Sequence, residues 1–187
     1  MANKVDLRVL KTKEAVKNAF KCMFLEKPYE KLTIKELCER AVINRKTFYL
    51  HYSCIEDVLD EFQEEQTFEY YERIKDFDHI KEIDKLIKVF FEYTEEQGKF
   101  YELLHCNNRY DYLRNRQTNK VSIKSQNNFK SIRKFDECKQ NIILNFIGSS
   151  LLGIYRQWIS DGKRMSIDEV IKISTVLIKS GIDEILK

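Results

Sequence analysis

Residues 33–52 read Thr33-Ile34-Lys35-Glu36-Leu37-Cys38-Glu39-Arg40-Ala41-Val42-Ile43-Asn44-Arg45-Lys46-Thr47-Phe48-Tyr49-Leu50-His51-Tyr52, and their spacing decides the fold. Thr33 and Glu36 stand three apart as a capping box, so a helix starts there and runs to about Arg40. Ile34, Leu37 and Cys38 are its inward side. Ala41-Val42-Ile43 is a turn, and Asn44 is a good N-cap for a second helix to about Leu50, with Phe48 on its buried side. Two capped helices joined by so short a turn make a helix-turn-helix. Such a second helix enters the major groove of DNA, so its outer face needs donors, and Asn44, Arg45, Lys46 and Thr47 supply them. Tyr49 and His51 project where phenol and imidazole groups donate to phosphate. Thr33 and Lys35 stand at the positive end of the first helix, where another phosphate fits. The competing readings are a solvated basic helix face and, for His51, a metal ligand or general base.

Outward from this motif the chain reads as helix throughout. Val16, Ala19, Phe20, Met23 and Phe24 recur at three- and four-residue spacing, which predicts a helix over residues 12–25 that Pro28 ends. Ser53 and Glu56 form a second capping box, opening an acidic helix to about Ile74. Asp78 caps a helix to Glu96, Gly98 follows it, and residues 99–106 form a short helix. Residues 107–134 are polar, basic and irregular, and predict a helix with poor ends or partial disorder. Two strongly apolar helices close the chain, residues 136–159 and 167–186. Gly totals 5 and Pro 1 in 187 residues, too few breakers for a turn-rich β fold, so the fold class is all-α.

The formal net charge of +3 hides segregation. Residues 1–52 carry +6, residues 53–105 carry −10, residues 106–134 carry +7, and residues 135–187 are neutral. A basic head before an acidic stretch suits a polyanion partner at one end only. No apolar run reaches the ~20 residues that span a membrane, and no signal-peptide core follows Met1, so the expectation is a cytoplasmic protein without membrane contact. The cysteines, Cys22, Cys38, Cys54, Cys106 and Cys138, are odd in number and never paired as C-x-x-C. They read as reduced thiols, mostly small core residues. Glu102 and His105 make one E-x-x-H, whereas a di-iron helical bundle needs two copies and further carboxylates. No phosphate-binding loop, dinucleotide fingerprint or nucleophile elbow is present. No catalytic residue, metal or cofactor is therefore expected.

With these residues on the page, the sequence resembles the TetR family of bacterial transcriptional regulators over about residues 10–60. The likeness rests on the helix before Pro28, on Leu32 to Leu37, on the run Asn44 to Tyr52, and on Glu56-Asp57-Val58-Leu59 behind it. The segment from Asn145 to Ile159 is similar to the dimerisation helix of one of the family's Firmicutes-type C-terminal domains. Two positions depart from the pattern. Val42 stands where the family has glycine in the turn, and a β-branched residue resists positive φ there. Ile55 stands where the family has a phosphate-touching lysine, which lowers DNA affinity and its salt dependence.

The resemblance implies a ligand-responsive repressor that binds a palindromic operator in double-stranded DNA as a homodimer. It implies a DNA-binding domain over residues 1–53, a linking helix over 54–75, and an effector-binding and dimerisation domain over 76–187. The last two helices are apolar over more than one face, which is more than one core needs, so a subunit interface is expected at Phe146, Ile147, Leu151, Ile154, Tyr155, Val170, Ile173 and Leu177, the competing reading being a deeply buried central helix pair. Gly148, Ser149, Ser150 and Gly153 would let helices approach closely. Phe90, Phe91, Phe100, Tyr101, Leu104, Tyr110 and Trp158 are candidates to line a pocket for an unknown small-molecule effector. Two other classes remain open: a protein-interaction module that kept this fold, and a helical metalloprotein.

Overall fold

The computed structural model describes residues 7–106 and 130–187, and among them the chain is seven α-helices with no strand. They are α1 (Leu7–Glu26), α2 (Ile34–Arg40), α3 (Arg45–Tyr49), α4 (Ile55–Ile74), α5 (Ile83–Cys106), α6 (Glu137–Ser160) and α7 (Ile167–Leu186). The chain divides into two compact units, one ending at Gln66 and the other beginning at Thr67, so the division falls within α4.

In the first unit the 3- and 4-residue spacing of α1 buries Val16, Ala19, Phe20, Met23 and Phe24. Helix α1 begins at Leu7, earlier than its apolar stripe alone indicates. After Pro28, a 3-10 turn (Tyr29–Lys31) lays Tyr29 against the rings of Phe20 and Phe24, 6.5 and 6.2 Å between centroids. Leu37 and Cys38 of α2, Phe48 of α3, Tyr52, and Val58 and Leu59 of α4 complete this core. Ion pairs Lys13–Glu61 (3.0 Å) and Lys17–Glu65 (2.5 Å) tie α1 to α4.

Of the two capping boxes expected here, the first is half formed and the second is replaced by a different cap. The Thr33 hydroxyl accepts from the Glu36 backbone N–H at 3.3 Å. The Glu36 carboxylate, however, pairs with Lys27 and Arg40 instead of reaching back. Before α4 it is Asp57, not Glu56, whose carboxylate accepts from the Ser53 and Cys54 N–H groups, at 2.6 and 3.3 Å. Those two bonds hold the Asp57 carboxyl below its ordinary pKa against the effect of burial. A complete capping box does form at Ser166 and Glu169, where α7 starts.

In the second unit α5, α6 and α7 pack on one another. Their core gathers Ile83, Leu86, Ile87 and Phe91 of α5 with Ile143, Ile147, Leu151, Tyr155 and Trp158 of α6 and Val170, Ile178 and Ile182 of α7. The inward residues of α6 and α7 recur almost strictly every fourth position, which is one stripe of a helix. Asp78 caps a turn rather than the helix itself: its carboxylate accepts from the N–H groups of Ile80 and Lys81 and from the Ser131 hydroxyl, the last at 2.6 Å. Helix α5 therefore starts at Ile83, not His79. His79 is buried with Nε2 2.8 Å from the Ile74 carbonyl. Helix α5 breaks at Gly98, whose φ of 64° and ψ of −155° are open only to glycine.

Of the cysteines only Cys38 is a core residue; Cys22 and Cys138 are exposed, Cys54 and Cys106 half-buried, and all five are free thiols. Most of the basic stretch 106–134 lies outside the described residues. At its end Ile132 is fully buried and Lys134 donates to the Leu186 carbonyl.

Candidate nucleic-acid interface

Helix α3 has five residues, and two local devices fix it. The Asn44 side-chain oxygen accepts from the Thr47 N–H at 2.8 Å and from its hydroxyl at 3.1 Å, which caps the helix. At its middle Phe48 is fully buried, its ring 5.4 Å from that of Tyr52. Burying Phe48 sets the rotation of α3, and the opposite face presents Arg45, Lys46, Tyr49 and Leu50 to solvent.

The turn before α3 is a Schellman motif. The Ile43 N–H donates to the Cys38 carbonyl at 3.0 Å and the Val42 N–H to that of Glu39 at 3.3 Å. That geometry needs a left-handed residue at position 42, and Val42 adopts it with φ of 56°. The strain expected from the sequence is therefore present, and the turn keeps its shape in spite of it.

Charge is sorted within this unit. Lys13, Lys17, Lys27 and Arg40 are held in ion pairs with Glu61, Glu65, Glu36 and Glu26. Among the described residues, Lys35, Arg45 and Lys46 join no ion pair and are exposed. Thr33 is exposed at the start of α2, and Tyr49 beside Arg45 and Lys46. Thr47 and His51 are half-buried. The cap uses the Asn44 side-chain oxygen and the Thr47 hydroxyl proton, so of the donors expected on α3 the two cations, Tyr49 and the Asn44 amide N–H groups are the ones left uncommitted. Leu50, on the same face, was not among the expected residues; its exposure follows from its position two residues past Phe48.

In the second unit the residues expected at a subunit interface divide: Phe146, Ile173 and Leu177 are exposed, whereas Ile147, Leu151, Tyr155 and Val170 are buried in the unit's own core. Ile154 packs partly against that core. The exposed apolar residues are Ile142 and Phe146 on α6 and Ile173, Val176, Leu177 and, at its end, Ile185 on α7. Phe90, Phe91, Tyr101 and Trp158 gather around Tyr155, with ring centroids 6.1, 6.4, 5.8 and 6.4 Å from its own. The fully buried Tyr155 hydroxyl has no hydrogen-bond partner among the described residues. Phe100 and Leu104 are buried on α5, and Tyr110 lies outside the described residues. The Trp158 indole N–H donates to the Met165 carbonyl at 2.8 Å.

Glu102 and His105 do not converge on a common point. Glu102 pairs with Lys163 at 2.5 Å, and the His105 ring stacks on Tyr101 with centroids 4.0 Å apart. Among the described residues no three His, Cys, Asp or Glu side chains gather as metal ligands, and no helix is long and apolar enough to cross a membrane.

A helix-turn-helix in one unit, followed by a helical unit with its own core, is the architecture of a transcriptional regulator. Residues 81–180 match the family described as a transcriptional regulator C-terminal region of the TetR type, and the chain belongs to the TetR family of transcriptional regulators. A comparison with curated proteins gave no match. Solved structures share the fold. A Clostridium perfringens protein described as a candidate fatty acid metabolism regulator aligns with a TM-score of 0.64 at 21% identity, covering 89% of this chain and 97% of its own. A TetR transcriptional regulator from Streptococcus agalactiae aligns at 0.62 and 20% identity, covering 92% and 96%. The fatty acid degradation regulator FadR from Bacillus halodurans aligns at 0.64 and 13% identity, covering 91% and 95%.

Proposed function

We propose that this regulator is a ligand-responsive repressor, cytoplasmic and non-enzymatic, that binds a palindromic operator as a homodimer. The observation that carries the reading is the outer face of α3. Phe48 fixes its rotation, and that face carries Arg45 and Lys46, exposed and without ion pairs among the described residues. Cations left uncommitted on the second helix of a helix-turn-helix suit guanine edges and phosphates. Thr33, Lys35, Asn44, Thr47, Tyr49 and His51 would position the head on the backbone around them. The functional division proposed is a DNA-binding domain over 1–53, a linking helix over 54–75 and an effector and dimerisation domain over 76–187.

The exposed apolar residues of α6 and α7 support the dimer, helped by open space beside Gly148 and Gly153 that lets a second helix come close. Two such heads would read successive major grooves about 34 Å apart. The aromatic cluster around Tyr155 supports an effector site, since its unpartnered hydroxyl is available to a ligand's polar group. Two of the structural relatives bear names tied to fatty acid metabolism, so a fatty acid or its acyl derivative is the first effector class to screen.

The test is a gel shift on the DNA upstream of the protein's own gene. Arg45→Ala together with Lys46→Ala is expected to abolish specific binding, a loss of at least about 30-fold if each contact contributes about 1–3 kcal/mol. Unchanged binding by that variant would overturn the docking face. No shift with the unaltered protein at low salt would favour a protein-interaction role instead.

A further inference from the structure

A solitary leucine on a protein surface needs no explanation. Leu50 is different because of where it stands. It is 79% exposed on the same face as Arg45 and Lys46. Its N–H donates to the Lys46 carbonyl at 3.2 Å, so it continues the helix and sits one turn beyond Lys46 on the same side. At about 100° per residue it points about 200° away from the buried Phe48. The outer face of α3 thus has two chemistries: cations at its start, and an isobutyl group beside the Tyr49 phenol at its end.

We infer that Leu50 is a base-reading residue, and that its contact is the C5-methyl of a thymine in the major groove. This rests on the DNA-binding reading of α3. Charge selects the occupant: Arg45 and Lys46, adjacent and unpaired, draw this face onto a polyanion. Within the major groove, the apolar group that a base pair offers to an isobutyl side chain is the thymine methyl. Leu50 has no hydrogen-bonding group to give to a base edge or a phosphate. Its part in specificity is therefore to require a thymine at one position of each half-site, while Arg45 and Lys46 read neighbouring positions.

The operator itself supplies the test. Duplexes are first selected from a random pool by the full-length protein. Each thymine of the winning sequence is then replaced by deoxyuridine, which removes the methyl and leaves pairing intact. One position per half-site is expected to lose about fourfold in affinity per methyl, the free energy of one buried CH2 group. Leu50→Ala is expected to lose sensitivity at that position alone, and to keep the unaltered protein's response at every other thymine and its melting curve. A deoxyuridine profile that is the same for both proteins overturns the inference while DNA binding stands. So does a variant weakened equally on all duplexes, since Leu50 would then be acting on the backbone. A protein that enriches no sequence from the pool overturns the DNA-binding reading itself.

Discussion

Val42 holds a conformation that its side chain opposes. Its place is the second residue past α2, just after the cap Ala41, where the Schellman turn requires positive φ, and its isopropyl group stands 89% exposed. Nothing is gained from packing to offset the strain. A second Schellman turn among the described residues, after α6, uses Gly162 at the same position with φ of 72°. A non-glycine residue held left-handed costs about 1–3 kcal/mol, and glycine gives back about 0.5–1 kcal/mol through the freedom of the unfolded chain. Val42→Gly is therefore expected to stabilise the protein by about 1 kcal/mol and to raise its melting midpoint by about 2–4 °C. Thermal unfolding of the two proteins measures this; a midpoint that stays or falls would show that valine sits there without cost.

At the level of the element, the kink in α5 is the feature with a partner elsewhere in the chain. Gly98 breaks the helix between Glu95 and Glu102, and Lys163 pairs with both, at 2.7 and 2.5 Å. One ammonium therefore joins the two halves of α5 to the turn after α6. Burial pushes the Glu102 carboxyl up, but the hydrogen bond and charge of Lys163 overcome it and hold the pKa below its ordinary value. A carboxylate with a lowered folded pKa contributes stability that is fully present above the ordinary carboxylate value. That stability is lost as the pH falls through the folded value. Lys163→Met is expected to cost about 1–2 kcal/mol at neutral pH, between the surface and buried limits for an ion pair. The gap to the unaltered protein should close in acid. Urea unfolding at several pH values reads both, and a gap independent of pH would mean that the loss comes instead from the Trp158 ring, over which the Lys163 ammonium lies 5.4 Å from the centroid. The same scale shows what could be read from the sequence. The helices and the short α3 were legible because Asn44, Phe48, Pro28 and Gly98 act on their immediate neighbours. The fate of Glu36 was legible only in part: Arg40 stands four residues on along the same helix, but Lys27, which also diverts it, reaches it only in the folded unit. The rotation of α6 was not legible. Ile142 and Ile143, like Phe146 and Ile147, are adjacent apolar pairs about 100° apart, and periodicity does not say which member faces inward. That one ambiguity moved Ile147, Leu151 and Tyr155 from the expected interface into the core.

For the whole molecule, the consequence of that rotation is an apolar surface on α6 and α7 that stands exposed among the described residues. If Ile142, Phe146, Ile173, Val176 and Leu177 meet a second copy, stability depends on mass action, and the melting midpoint rises with protein concentration. Ile173→Glu together with Leu177→Glu should give a monomer by sedimentation and remove that dependence, leaving the fold intact because both positions are exposed. A double variant that still sediments as a dimer would place the interface elsewhere. The order of the two units along the chain also matters during synthesis. The unit bearing α3 ends at Gln66, and 121 residues follow it. At about 5–20 residues per second, those 121 residues take roughly 6–24 s to add once the cationic face has been made. Through that interval each nascent head is single, and the nearest polyanion to it is the RNA of the ribosome that is making it.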